Sequence, residues 1–79
     1  MITIQLLQQI TNLRCELENT KYKNYNIKIL RATNIIKLLY KDNNKAEIIC
    51  FIDINSGNVI NKGIIYGHID NYHEFIHNL

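Results

Sequence analysis

The chain has 79 residues, with nine lysine or arginine residues against seven acidic ones and a formal net charge of +2. A chain of this length predicts one small domain, residues 1–79, which buries only about 60–65% of its unfolded surface. The low and dispersed charge argues against a dense basic footprint for nucleic acid and against an acidic mimic of DNA.

Cysteine content and the N-terminal sequence bear on the compartment. Cys15 and Cys50 are too few for a disulfide scaffold, and neither lies in a C-x-x-C spacing. No basic segment followed by a long apolar run opens the chain, so we expect neither a signal peptide nor a transmembrane span. The sequence therefore predicts a reduced cytoplasmic protein, in the host cytoplasm if it is viral. We expect a homodimer to supplement the small core.

The first predicted element is an amphipathic helix over residues 4–18. Thr3 is suited to cap its N-terminus, and Cys15 falls on its polar face. An apolar stripe recurs at spacings of three and four, with Leu7 widening it: Leu6, Ile10, Leu13 and Leu17.

Beyond a polar connection over residues 19–26, β-branched runs separated by turn residues predict strands. The predicted strands are 27–32, 35–40, 46–54 and 59–62, with 64–66 as a possible extension of the edge. A helix over 27–40 is the alternative, although it would scatter Leu30, Ile35 and Leu38 around its circumference. Asp42-Asn43-Asn44 is a strong turn, and Gly63 suggests a bulge.

The strand over 46–54 is apolar on both faces. Simple alternation places Ile48, Cys50, Ile52 and Ile54 on one face and Ile49 and Phe51 on the other. Such a strand is expected to be central, and covered on both sides or by a partner subunit. The Cys50 thiol is then expected to be buried. Asp53 is expected to cap the following turn, where Gly57 suits a left-handed backbone.

The end of the chain returns to helical spacing. Four apolar residues lie at i, i+3, i+4 and i+7: Tyr72, Phe75, Ile76 and Leu79. Asn71 and Glu74 have the spacing of a capping box. The fold class predicted is α+β, in the order α-β-β-β-β-α. It has an antiparallel sheet of three to four strands, an N-terminal helix and a short C-terminal helix.

That last helix contains His73-Glu74-Phe75-Ile76-His77, which matches the H-E-x-x-H pattern of zinc proteases. His73 and His77 are the candidate metal ligands, and His68 would be a third. On a helical wheel, however, the two histidines flank the apolar stripe, and Glu74 is already assigned as a cap partner. We therefore predict no metal, no cofactor and no catalytic residue. A zinc-dependent hydrolase is the remote alternative.

Aromatic and histidine side chains are the predicted contacts with a partner protein, together with one sheet edge. These interface candidates are Tyr22, Tyr25, Tyr66, His68, His73 and His77. Lys23 between two of the tyrosines is also the arrangement that binders of single-stranded nucleic acid use. A small nucleic-acid-binding regulator is therefore the alternative function.

The stretch Cys50-Phe51-Ile52-Asp53-Ile54-Asn55-Ser56-Gly57-Asn58-Val59 resembles a hairpin of small bacteriophage proteins of uncharacterised function. Those proteins carry C-F-[IV]-D-x-x-[TN]-G-D-[VI], preceded by a shorter strand and a helix. The resemblance spans residues 33–62. Those proteins continue with a lysine, paired alanines and a W-K-x-P-A-K tail, whereas this chain has Asn61-Lys62-Gly63 and neither tryptophan nor proline, so no functional residue is carried over.

The resemblance implies a phage or mobile-element accessory protein. The abundance of isoleucine, asparagine, lysine and tyrosine, without proline or tryptophan, agrees with an A/T-rich genome. Small proteins of that origin commonly bind a host protein stoichiometrically. We therefore expect a non-enzymatic binder, for example an inhibitor of a nuclease-based defence system such as CRISPR-Cas.

Overall fold

A computed structural model of the protein describes residues 3–79. Its elements are helix α1 (Ile4–Leu17), strands β1 (Lys28–Arg31), β2 (Ile35–Asp42), β3 (Lys45–Asp53), β4 (Asn58–Asn61) and β5 (Ile64–His68), and the 3-10 helices Ile69–Glu74 and Ile76–Asn78. The strands pair antiparallel in the order β1-β2-β3-β4-β5. The α+β class is confirmed, and the described sheet has five strands rather than three or four.

Helix α1 forms as its apolar spacing predicts. The Thr3 hydroxyl oxygen accepts a hydrogen bond of 3.0 Å from the Leu6 amide, so the predicted N-cap is confirmed. The four residues of the apolar stripe are the buried residues of the helix: Leu6, Ile10, Leu13 and Leu17. They are the part of α1 that enters the hydrophobic core.

Two tight turns form the β2–β3 and β4–β5 hairpins. Asn43 and Asn44 join β2 to β3 with φ of 52° and 67°, and Lys62 and Gly63 join β4 to β5 with φ of 52° and 75°. Positive φ at both central residues is the type I′ arrangement, whose twist matches that of paired strands. Strands, and not a helix, therefore occupy residues 28–31 and 35–42. The predicted bulge at Gly63 is wrong, because that glycine is a turn residue.

The register of β3 also differs from simple alternation. Leu38 pairs with Cys50 and Leu39 pairs with Ile48, which leaves Ile49 as the extra residue of a β-bulge. The bulge reverses the phase of the strand, so Ile48 lies on the face opposite Cys50 and Ile52. Ile49 itself is buried in the core.

One face of the sheet packs against the rest of the chain. Its buried residues are Ile36, Leu38, Cys50, Ile52 and Val59. They form one cluster with the α1 stripe and with apolar residues of the C-terminal segment. Strand β3 is therefore central, as predicted, but the described residues cover only one of its faces.

The C-terminal segment is not the predicted helix. Asn71 has φ −122° and ψ 34°, outside the helical region, so the predicted capping box does not form. Instead His68 caps the first 3-10 helix, and Phe75, with φ −131°, separates it from the second. The predicted apolar residues are nevertheless all buried: Tyr72, Phe75, Ile76 and Leu79.

No described helix is long and apolar enough to cross a membrane.

Candidate functional site

The sheet face turned away from the core carries a continuous set of apolar side chains. Directly paired residues of antiparallel strands share a face, so the register identifies its members. One row crosses all five strands: Leu30, Lys37, Phe51, Ile60 and Ile65. A second row crosses three strands: Lys28, Leu39 and Ile48. We call these eight residues the open face.

Exposure shows how much apolar surface the open face presents. Leu30, Ile48 and Ile65 are 50%, 38% and 61% exposed, whereas Phe51 and Ile60 are half-buried. Full burial of such a side chain is worth about 1.5–3 kcal/mol, so covering each half-exposed one gains on the order of 1 kcal/mol.

Leu39 shows that the open face is packed and not a scatter of single side chains. It is only 7% exposed, yet it lies outside the cluster that forms the core. Neighbours on the open face therefore shield it. With strands about 4.8 Å apart, the five-strand row is about 20 Å wide, a dimension typical of a functional apolar patch.

Lysines give this apolar surface its charge. Lys37 lies within the five-strand row, between Leu30 and Phe51, and Lys28 lies in the second row. Lys41 is on the same side, where it pairs with Ala46. Among residues 3–79 no lysine or arginine lies within ion-pair distance of a carboxylate, so no described carboxylate neutralises these lysines.

The tyrosines named from the sequence serve mainly in packing. Tyr22 is buried, and its hydroxyl donates a hydrogen bond of 2.5 Å to the Leu79 carbonyl oxygen. Tyr25 is half-buried against Tyr40, with ring centroids 4.3 Å apart. Tyr66 is half-buried and stacks on Phe75 at 6.2 Å. The prediction that Tyr22 is a surface contact is therefore wrong, because the ring is needed inside the fold.

His68 connects the β3–β4 loop to the C-terminal segment. Its Nδ1 accepts a hydrogen bond of 3.0 Å from the Asp70 amide, and Asp70 also binds the Gln9 side chain. Its imidazole lies directly against Gly57, whose carbonyl accepts a hydrogen bond of 2.8 Å from the Ile69 amide. The geometry gives His68 a structural role.

The H-E-x-x-H pattern does not adopt the geometry that a zinc protease requires. His73 and His77 are exposed and lie in separate 3-10 helices on either side of Phe75. Residues four apart share a face only along a continuous α-helix, and the non-helical backbone at Phe75 interrupts the segment between the two histidines. Residues 3–79 hold no group of three His, Cys, Asp or Glu side chains placed to bind a metal ion.

His77 instead borders a shallow depression of about 260 Å³. The other lining residues are Asn19, Thr20, Lys21 and Ile76. Lys21 and His77 are the ionisable residues of this lining, which contains no carboxylate or thiol.

The two cysteines differ in their surroundings as predicted. Cys15 is exposed and Cys50 is buried. Burial raises the pKa of the Cys50 thiol to about 12. The thiolate is the nucleophilic form, so Cys50 is inert at neutral pH and its role is to fill the core.

The bulge at Ile49 hides one part of the open face, the position of Ile48. Alternation counted through residues 46–54 places Ile48 beside Cys50, on the core side. The signal available in the sequence was the apolar character of both faces of this strand.

Comparison of the sequence with protein-family models and characterised proteins, and of the fold with solved structures, found no match.

Proposed function

We propose that this chain is a non-enzymatic accessory protein of a phage or mobile element that binds one host protein stoichiometrically through the open face. Inhibition of a nuclease-based defence system such as CRISPR-Cas is the example we favour. The observation that carries the proposal is the row across five strands, apolar at every position except Lys37, on the side of the sheet opposite the core. The phage origin rests on the resemblance of residues 33–62 and on the residue usage.

The composition of the open face agrees with that of protein interfaces. Interface centres are rich in apolar and aromatic side chains, and their rims are polar. Here Phe51 and Ile60 lie at the centre, and Lys28 and Lys41 lie towards one end. A typical interface buries about 800 Å² on each partner, so a partner would cover most of this side of the protein.

Two neighbouring isoleucines of β5 provide a matched test. Ile65 belongs to the open face, whereas Ile64 pairs with Asn61 and points to the other side. They are 61% and 58% exposed, so lysine is tolerated sterically at either position. Tagged wild-type protein and the Ile65→Lys and Ile64→Lys variants are incubated with bacterial host lysate, and bound proteins are quantified by mass spectrometry.

We expect wild-type protein and Ile64→Lys to retain one host protein at equimolar amount, and Ile65→Lys to lose it. Circular dichroism of each variant establishes that the fold is intact. Equal recovery by all three proteins, or no stoichiometric protein with the wild type, contradicts the proposal.

Nucleic-acid binding is the second candidate, and one observation favours it. Lys28, Lys37 and Lys41 share a sheet face with Phe51, and single-strand binders combine basic and aromatic side chains on such a surface. The aliphatic residues around the single aromatic ring favour protein instead. Fluorescence anisotropy with labelled single-stranded DNA and RNA distinguishes the two. Three phosphate contacts predict a slope of about −2 for log K against log salt.

A further inference from the structure

The position of Lys37 restricts what can cover the open face, provided that the face is a docking surface as proposed above. Lys37 occupies the β2 position of the five-strand row, with Leu30 and Phe51 as its direct neighbours. Its side chain is half-buried among apolar groups even without a partner. Any partner that covers Leu30 and Phe51 therefore also removes water from the Lys37 ammonium group.

Dehydrating an unpaired ammonium group opposes binding. Removing a charge from water costs several kcal/mol unless a charge of opposite sign and further hydrogen bonds replace the water. The described residues do not provide that charge. The nearest acidic residue of β3 on this side is Asp53, which pairs with Ile35 at the end of β2. Its Oδ1 accepts the Asn55 and Ser56 amides at 2.8 and 3.1 Å.

A second copy of the chain is a poor source of the missing charge. A second copy presents the same three lysines on this face, and Asp53, the acidic strand residue that the described register places there, is committed to its own turn. Like charges placed together at an interface cost several kcal/mol. A homodimer through this face would therefore leave Lys37 without a carboxylate partner.

We infer that the open face binds a protein surface on which apolar side chains surround an Asp or Glu carboxylate, and that this carboxylate pairs with Lys37. Lys28 and Lys41, nearer the rim, steer an acidic surface towards the face. Rim charges act mainly on the association rate and its salt dependence. A hydrogen bond to a charged group is worth about 1.5–3 kcal/mol, so loss of the Lys37 charge weakens binding by about 10- to 100-fold.

A random peptide library displayed on phage tests this chemistry without knowledge of the host partner. Peptides are selected on the full-length wild-type chain and counter-selected on Ile65→Lys, whose altered side chain lies on the open face. The expected result is enrichment of sequences that place Asp or Glu among aromatic and aliphatic residues. Enriched peptides are then synthesised, and their Kd is measured for Lys37→Met, Lys37→Arg and Ile64→Lys.

We expect at least tenfold weaker binding to Lys37→Met, which keeps the length of the side chain without its charge. Lys37→Arg and Ile64→Lys should bind within about threefold of the wild type, because a threefold change is below 1 kcal/mol. Replacing the acidic residue of the peptide by its amide should weaken binding to the wild type but not to Lys37→Met.

The outcomes separate this inference from the proposed function. Acid-free peptides, or equal affinity for the wild type and Lys37→Met, overturn the pairing while the open face remains a binding surface. If no peptide binds the wild type in preference to Ile65→Lys, both the pairing of Lys37 with a carboxylate and the role of the open face as a binding surface are overturned. The oligomeric state is measured by sedimentation for the wild type and both isoleucine variants. If the wild type and Ile64→Lys are dimers but Ile65→Lys is a monomer, a second copy occupies the open face, and the inference is overturned.

Discussion

Replacing Gly57 by alanine should destabilise the protein through a specific collision with His68. Gly57 has φ +78°, and a Cβ atom there would lie 2.8 Å from Cε1 of the His68 imidazole. Gly63 is the matched control, because it has φ +75° but no other atom within 4 Å of the added Cβ. The backbone penalty is therefore shared by the two variants, and the collision belongs to Gly57→Ala alone.

The magnitude follows from these contacts. A left-handed backbone costs a non-glycine residue about 1–2 kcal/mol, and alanine recovers about 0.4–1 kcal/mol by restricting the unfolded chain. Gly63→Ala should therefore cost about 1 kcal/mol or less. Gly57→Ala must also displace the imidazole, whose Nδ1 accepts the Asp70 amide at 3.0 Å. Losing that hydrogen bond and its packing adds about 1–3 kcal/mol.

Urea unfolding followed by circular dichroism measures the difference. With an m-value of about 1 kcal/mol/M, the midpoint of Gly57→Ala should lie about 1–3 M below that of Gly63→Ala. The same pair of substitutions made in a His68→Ala background should cost nearly equal amounts, because the collision is gone. Equal midpoints in the wild-type background, or an unchanged difference without the imidazole, would refute the reasoning.

Three further predictions concern thiols and a buried hydroxyl. A thiol reagent applied to the native protein should modify Cys15 and spare Cys50 until denaturant is added; modification of both at equal rates in native buffer would argue against the buried thiol. Because the pKa of Cys50 is raised from 9.0 to about 12, the folded state keeps this proton while the unfolded state loses it, so the free energy of unfolding should fall from pH 9 upward. The slope attributable to Cys50 is at most about 1.4 kcal/mol per pH unit, and urea titrations of Cys50→Ala should show a shallower decline than those of the wild type. Tyr22→Phe removes the hydrogen bond to Leu79 and should lower the free energy of unfolding by about 1–3 kcal/mol. Tyr66→Phe is the control, because Tyr66 lies at the margin of the core, and it should lower the free energy of unfolding by less. Equal losses in the two variants would contradict the role of the Tyr22 hydroxyl.

The helix and the turns could be predicted because local chemistry determines them. The spacing of Leu6, Ile10 and Leu13 defines a helix face without reference to the rest of the chain. Asparagine tolerates positive φ better than most non-glycine residues, so the Asn43-Asn44 turn is also encoded locally. Asp53 likewise caps its turn as predicted, through the Asn55 and Ser56 amides.

The C-terminal segment could not be assigned because its backbone is set by distant contacts. Its apolar spacing fits an α-helix, but the Ile69 amide bonds to Gly57 and His68 provides the cap. These contacts fix the start of the segment, and Asn71 leaves the helical region as a result. Burial of Phe75 and Ile76 was predictable, whereas the helix type was not.

The position of Ile48 on the open face depends on a register shift that has no local signature. Ile48, Ile49 and Cys50 are three consecutive apolar residues, and any of them could be the extra one. The choice is made by the pairing of Leu38 and Leu39 across the sheet. The predicted partner contacts are tyrosines and histidines instead, and of the three tyrosines Tyr22 is buried while Tyr25 and Tyr66 are half-buried.

The sequential strand order has a consequence for how the chain folds and opens. Each strand pairs with its neighbour along the chain, so every ladder closes a loop of low sequence separation and the sheet can assemble hairpin by hairpin. The contacts between residues far apart in the sequence are those of residues 69–79 with α1 and Tyr22, such as the Tyr22–Leu79 hydrogen bond. That terminal segment can detach without breaking a strand ladder, but its detachment exposes Tyr72, Phe75, Ile76 and Leu79, so it opens the core while the sheet stays paired.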